Sequence, residues 1–564
     1  MQKEISKKYK KYEFKNSINK KTLKELCKPP TKFTLQPPQK FLADIMKSKL
    51  NGILVFHKIG SGKTCTAIRI AEEHKNKKNI VVVLPASLVT NFRDELRTLC
   101  AEDNYMTKKE RLEFDDKNEK DRSLIIEKTN ERIDKYYTIY SYNKFVSLID
   151  TEKINLENTL LIIDEVQNMI SETGVYYQKL YNFIKNGPSN LKIVLLSATP
   201  IFDKPVEIAL TLNLLPLKTL LPIGTEFNET FIETDESSKG IPIYKFINRD
   251  LFTESTSGFI SFYRGMPEKS FPRSNLSIVK CKMENFQYKS YQLVLKKEKN
   301  KSNKKIDLLK LPNNFFISSR MISNIAYPNR KANADGFESF VGDKLKLKNL
   351  KKYSIKFYKI IKNLKKTEGK GFIYSNFVEY GGLKPLAVVL EQNGYVNFKH
   401  RDTTSKKNPK FYAVWSGEET LDYKQLVKYT FNLKDSNLRL ILGSPAIKEG
   451  VSLKRVRQIH ILEPYWNNSR FEQIVGRGLR YCSHADLPLK QQEVDIFLYI
   501  SHRPKENSYK DKTKILDKMS VDRYINYLAI SKQHLISQFE GVLKSNAIDC
   551  IINKNINNVK CDQT

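Results

Sequence analysis

At 564 residues, 40% hydrophobic and 28% charged, the chain carries apolar material for roughly two to four domains, which excludes a disordered polymer and a small stapled scaffold. Lys and Arg number 97 against 62 Asp and Glu, a net charge of +35 that favours a polyanionic partner without choosing between DNA, RNA and a membrane surface. The seven cysteines (Cys27, Cys65, Cys100, Cys281, Cys482, Cys550 and Cys561) have no Cys-x-x-Cys spacing, so neither a zinc module nor a disulfide framework is expected, and a reducing compartment is. The N-terminus lacks the apolar core of a signal peptide and no run approaches membrane-spanning length, so an intracellular, cytoplasmic protein with no membrane partner is expected.

Residues 1–29 are lysine-rich and predict a basic, partly mobile N-terminal arm, which either touches nucleic acid or is simply solvated. Residues 30–215 read as a first α/β domain. Pro37 and Pro38 open an amphipathic helix carrying Gln39, whose amide can donate and accept; a solvent-facing side chain is the plain alternative. The buried-strand run Ile53 to Phe56 then enters a glycine-containing turn, and a helix follows. Gly60, Ser61 and Gly62 let the main chain curl around an anion, Lys63 reaches the β- and γ-phosphates of a nucleotide, and Thr64 can ligate magnesium. His57 stands where the strict P-loop pattern has its first glycine.

Ile80 to Leu84 predicts a second parallel strand, and Leu160-Leu-Ile-Ile-Asp164-Glu165 a third that ends in adjacent carboxylates at the ligand-binding edge of such a sheet. Asp164 is placed to hold magnesium and Glu165 to orient and deprotonate the attacking water. Ile193 to Pro200 adds a strand ending in Ser197 and Thr199, hydroxyls that either relay between sites or cap a turn. Residues 216–350 read as a bridging region with little chemistry of their own, and the lysine cluster at 296–305 as an exposed loop, solvated or facing phosphates.

A second α/β domain is predicted over 351–500, with strands at Gly371 to Tyr374, Leu438 to Gly443 and Gln458 to Glu463 and a loop at Lys448-Glu449-Gly450. Gln473, Arg477 and Arg480 fall at i, i+4 and i+7, which predicts one helical face with two guanidinium groups: a surface salt-bridge network, or the arginine finger that the distant P-loop lacks. Residues 501–564 predict a largely helical C-terminal tail.

Laid end to end, these segments resemble superfamily 2 helicases and translocases. Gly60 to Thr64, Asp164-Glu165-Val-Gln167, Ser197-Ala-Thr, the Gly443–Gly450 loop and Gln473-x-x-Gly-Arg-x-x-Arg480 stand in that family's order. A narrower likeness, to the poxvirus-type NTPases of large cytoplasmic DNA viruses and yeast cytoplasmic linear plasmids, is carried by His57-Lys-x-Gly-Ser-Gly-Lys-Thr, Glu463-Pro-Tyr-Trp-Asn467, Gly476 to Pro488 and Leu543 to Cys550.

The resemblance implies two tandem RecA-like parallel-sheet domains with ATP and Mg²⁺ between them, and adenine reading by Gln39. It also implies transition-state charge from Arg477 and Arg480, and a nucleic-acid partner, DNA favoured over RNA, with an RNA polymerase or transcription complex as a candidate. The expected activity is ATP hydrolysis that drives translocation on DNA or its unwinding; a duplex-DNA translocase serving transcription without strand separation is the alternative. Gln167 departs from the Asp or His common at its position, which puts the usual coupling to Ser197-Ala-Thr in doubt.

Overall fold

The computed structural model describes residues 1–14, 23–28, 33–48, 50–114, 119–171, 174–236, 242–301, 315–405, 407–447, 451–504 and 519–562. Part of the lysine cluster (302–305) and the Lys448-Glu449-Gly450 loop lie outside these residues. The chain divides into two units: Met1–Thr234 with Tyr244–Pro267 and His534–Thr564, and Asp235–Ile243 with Glu268–Gln533.

Unit 1 is built on β1 (Gly52–His57), β2 (Asn79–Leu84), β3 (Tyr137–Ser141), β4 (Thr159–Asp164) and β5 (Lys192–Ser197). β6 (Ile232–Glu236) and β7 (Pro242–Phe246) form a separate two-stranded ribbon, and β8 (Ile260–Tyr263) closes the main sheet in the order β3-β2-β4-β5-β1-β8. Every pairing in that sheet is parallel. Helices cover a parallel sheet on both faces, so its strands read as continuous aliphatic runs, and β1 and β4 are buried along their whole length. Alternate residues Ile53, Val55, Ile80, Val82, Leu160, Ile162, Val194 and Leu196 share one face and one core.

Unit 2 has β9 (Arg273–Lys282), β10 (Lys370–Tyr374), β11 (Tyr395–Asn397), β12 (Lys410–Trp415), β13 (Leu438–Gly443), β14 (Val456–Ile461) and β15 (Glu493–His502). Their order is β11-β12-β13-β10-β14-β15-β9, again all parallel. Tyr412, Leu440 and Leu442 enter one apolar cluster while Ala413, Ile441 and Ile459 enter the other, so both faces are covered.

The structure redraws several expectations. The basic arm is folded over its first residues: the helix Gln2–Lys8 and Tyr9 bring Ile5, Tyr9 and Tyr12 onto the unit 1 core, with Tyr9 edge-on to Phe41 at 5.4 Å. Those three apolar residues stand at i, i+4 and i+7 within the lysines, and their burial outweighs the solvation of the charged face. The bridging region has no body of its own, because β8 joins the sheet of unit 1 and β9 that of unit 2. The C-terminal tail is shared in the same way, with the unit boundary falling inside the long helix Val521–Ser545.

Disulfides, not expected from the cysteine spacing, link Cys65 to Cys100 and Cys550 to Cys561, with Cα separations of 5.3 and 5.7 Å. The fold, not the spacing, brings these pairs within bonding reach. Among the described residues no helix is long and apolar enough to cross a membrane.

Candidate nucleotide site

In an all-parallel sheet every strand ends on the same edge, so the carboxyl ends of β1, β4 and β5 gather there with β5 in the middle. Phe56 is in register with Ser197, and Asp164 with Leu196. After β1 the main chain turns through Gly60 and Gly62, whose φ angles of 79° and 81° lie in the left-handed region that glycine enters without strain. Gly62 caps the helix Lys63–Glu72, so Lys63 and Thr64 stand in its first turn, where free backbone N–H groups and the helix dipole favour an anion.

Gln39 proves buried and not solvent-facing. Its Nε2 donates to Gly62 O at 3.3 Å and its Oε1 accepts the Gln36 N–H at 2.8 Å, so it braces the loop from behind. A Cβ at Gly62 would fall 2.7 Å from that Nε2 and would have to sit on a backbone of φ 81°, so a side chain here would be strained and would displace the Gln39 amide. Ser61 is buried and its Oγ has no hydrogen-bond partner among the described residues, which suits a group that meets a polar ligand.

The Lys63 ammonium lies 3.6 Å from Glu165 Oε1, both side chains being largely shielded from solvent. Asp164 is buried and its Oδ1 accepts the Glu165 N–H at 3.0 Å. Tyr142 donates its hydroxyl to the backbone carbonyls of Asp164 and Glu165, steadying a turn in which Glu165 has a φ of 52°.

Gln167 restores the link that its identity put in doubt: its Nε2 donates to Glu165 Oε2 at 2.7 Å while its Oε1 accepts the Ser197 hydroxyl at 2.7 Å. Ser197 Oγ in turn accepts the Thr199 N–H at 3.0 Å. An amide has both a donor and an acceptor end, so it spans a carboxylate and a hydroxyl without any charge of its own.

In unit 2 the Gln473 helix runs only from Asn468 to Val475, started by Asn467 Oδ1 accepting the Arg470 N–H at 3.0 Å. Arg477 and Arg480 therefore leave the helix on a turn, and the predicted single helical face does not form. Gly476 ends the helix, and Gly478 packs so closely on β14 that a Cβ there would stand 3.1 Å from Ile459 and 3.2 Å from Val456. Arg477 is buried, and its carbonyl accepts the Leu453 N–H at 2.9 Å. Arg480 donates to Val451 O at 3.2 Å, and burial, then the neighbouring Arg477 charge, pull its pKa down to about 10.

Just past the end of β14, Glu463 accepts from Ser375 Oγ at 3.1 Å and from Asn324 Nδ2 at 3.0 Å, and burial raises its pKa. The sequence reading missed Tyr142 and the Glu463 network. A strand-end Glu facing a Ser at the end of a neighbouring predicted strand is the signal that would have raised the second.

Two all-parallel sheets, one of them carrying a glycine loop whose lysine faces a strand-end carboxylate, define the helicase-like class of nucleotide hydrolases. The SNF2-related domain profile matches residues 36–334. A putative ATP-dependent RNA helicase of Acanthamoeba polyphaga mimivirus is 46% identical over 99% of this chain and 97% of its own length. A termination factor NPH-I homolog of African swine fever virus is 27% identical over 91% of this chain and 78% of that protein. The Sulfolobus solfataricus SWI2/SNF2 ATPase core in complex with dsDNA is 16% identical at a TM-score of 0.31, over 94% of this chain and 98% of that one. The chain belongs to the SNF2-related family of superfamily 2 helicases, and it is an ATP hydrolase of that family.

Proposed function

We propose that the protein is a DNA-stimulated ATPase that converts ATP hydrolysis into movement along DNA, in the service of transcription in the cytoplasm. The observation that carries this reading is the continuous link Lys63–Glu165–Gln167–Ser197, which joins the phosphate loop to the end of β5. Lys63, with the free N–H groups of the first turn of its helix, holds the β- and γ-phosphates, and Gln39 keeps the loop in shape beside the adenine. Thr64 and Asp164, a hydroxyl and a carboxylate, are the hard oxygen donors that suit Mg²⁺, which when bound neutralises charge on the phosphates. Glu165, steered by Gln167, orients the attacking water and takes its proton. Gln473, Arg477 and Arg480 meet the charge that builds on the γ-phosphate oxygens.

The net charge of +35 supports a polyanionic track, and the viral relative named as a termination factor supports transcription and, with it, DNA and a polymerase partner. Steady-state hydrolysis with no nucleic acid, single-stranded DNA, duplex DNA and RNA tests this, with Lys63→Ala as the inactive control. Stimulation by DNA is expected, and stimulation by RNA alone overturns the DNA assignment. The alternative is a duplex translocase that never separates strands. Duplex stimulation without strand displacement identifies it.

A further inference from the structure

The Leu543 to Cys550 stretch has no part in the nucleotide chemistry above, yet its Asp549 is joined through Ser261 to His57, where the phosphate loop begins. β8 is the outer strand of the unit 1 sheet and pairs with β1, His57 being in register with Tyr263. Its other edge is met by the C-terminal segment. Ile548 N–H donates to Ile260 O at 2.8 Å, Asp549 Oδ1 accepts the Phe262 N–H at 2.9 Å, and Asn557 spans Phe262 O and the Arg264 N–H at 2.8 Å each. The Cys550–Cys561 disulfide closes this segment, and Gln2 donates to Ser545 O and Ala547 O at 2.8 Å each.

Asp549 Oδ2 accepts from Ser261 Oγ at 2.6 Å and from Asn553 Nδ2 at 3.0 Å, and Ser261 Oγ lies 3.0 Å from His57 Nε2. All three side chains of this chain, Asp549, Ser261 and His57, are fully buried. The direction of the hydrogens follows from valence. An ionised carboxylate only accepts, so Ser261 gives Asp549 its one hydrogen and must itself receive one from His57 Nε2. Burial, then the charge of Lys63, lowers the His57 pKa to about 3, so the ring is neutral and a proton on Nε2 leaves Nδ1 bare. Nδ1 has no hydrogen-bond partner among the described residues, and His57 is the residue from which the phosphate loop departs.

We infer that Asp549 is a positioning residue of the nucleotide site: acting through Ser261, it fixes His57 in the Nε2-protonated tautomer and so keeps an acceptor, Nδ1, at the root of the phosphate loop. This rests on the ATPase reading for its effect on turnover but not for its effect on the ring. Protonation of Asp549 reverses the chain: the carboxyl donates to Ser261, Ser261 donates to His57 Nε2, and the ring proton passes to Nδ1, turning the acceptor into a donor. The Asp549→Asn substitution has the same effect at every pH, and Asn553, whose Oδ1 has no partner among the described residues, can turn its amide to receive the new N–H.

The surrounding charges are Lys63 on the loop side, the Lys58–Glu540 pair at 3.7 Å, and Lys544, which is 2.6 Å from Glu540 and 5.6 Å from the Phe56 and Phe262 rings. Burial raises the Asp549 pKa to about 6 against its three donors. A carboxyl whose folded pKa lies above its unfolded value of 3.8 adds stability as pH falls through that window, so protonation of Asp549 does not itself unfold the protein.

The test uses the 564-residue wild type, Asp549→Asn, Ser261→Ala and His57→Gln, the last assigning the ring signals. Histidine ¹⁵N spectra at pH 7.5 should show His57 protonated on Nε2 in wild type and on Nδ1 in Asp549→Asn. Wild-type kcat should fall through a midpoint near 6, the value of the Asp549 carboxyl. Asp549→Asn should lose about tenfold in kcat at pH 7.5, one net hydrogen bond, with KM nearly unchanged and no acid limb. Ser261→Ala keeps the carboxylate, cuts the relay, and should lose the acid limb too, which covers the case in which Asp549→Asn does not fold. An Nδ1-protonated wild-type ring, or variants that keep the wild-type tautomer and pH profile, overturns the inference. A wild type that hydrolyses no ATP but shows the predicted tautomers overturns the ATPase reading instead.

Discussion

Replacing Gln167 by Leu keeps volume and removes both ends of the amide. The bond from Nε2 to Glu165 Oε2 at 2.7 Å has an ionised acceptor, so losing it costs about 1.5–3 kcal/mol, and the bond from Ser197 about 0.5–1.5 kcal/mol. The Glu165 turn itself is held elsewhere, by Tyr142 and by the Lys63 ammonium at 3.6 Å, so the fold and nucleotide affinity should survive. If the steering of Glu165 is felt mainly in the transition state, kcat falls about 10- to 100-fold with KM nearly constant, since each 1.4 kcal/mol or so is tenfold. Ser197→Ala removes only the weaker bond and should cost about tenfold or less. The decisive assay is the double-mutant cycle in steady-state ATP hydrolysis with saturating DNA. Ser197→Ala should add little once Gln167 is Leu, because its route to Glu165 is already gone. Normal turnover in both single variants, or losses that simply multiply, would refute the relay.

Arg477→Ala should lower kcat by about 10³- to 10⁵-fold with a much smaller effect on ATP affinity, and Arg477→Lys should not recover it, because an ammonium lacks the planar fork. Equal losses in affinity and turnover would make Arg477 a binding group only. Lys356 and Asp522 form an ion pair of 2.6 Å with no solvent exposure, and Lys356 also donates to Asn324 Oδ1 and Leu462 O at 2.8 Å. Lys356→Met strands a buried carboxylate and should cost about 3–5 kcal/mol in urea unfolding, a figure that a loss below about 1 kcal/mol would contradict. Cys65 and Cys100 are 35 residues apart, so Cys100→Ser or full reduction should remove about 4 kcal/mol by the loop-entropy rule. An unfolding midpoint indifferent to reductant would show that the two sulfurs are thiols in solution.

The parts of the site that were legible in the sequence are those whose geometry is local. Gly60, Gly62 and Lys63 shape their own loop, and Asp164-Glu165 needs only the strand before it to reach the sheet edge. The helical face proposed for Gln473, Arg477 and Arg480 failed over a signal already present, since Gly476 and Gly478 mark a helix end where periodicity alone suggested continuity. The partnership of Gln167 with Ser197 depends on β4 and β5 being neighbours, which follows from the sheet order and not from any residue type. Ile260 to Tyr263 is four residues long and pairs with β1 some two hundred residues upstream, a contact that no local pattern announces.

The division of unit 1 among three stretches of chain sets a timetable for synthesis. β8 leaves the ribosome long before the segment that covers its outer edge, and about 290 intervening residues take on the order of 15–60 s to add. For that interval Ile260 O and the Phe262 and Arg264 amides lack the partners supplied by residues 548–557. An uncovered edge strand is a template for pairing with other chains, so crowded polysomes translating this message expose many identical edges together. Yield on overexpression should therefore improve when translation is fast or the nascent chain is shielded, and chains that stop short of Ile548 should be the ones that aggregate.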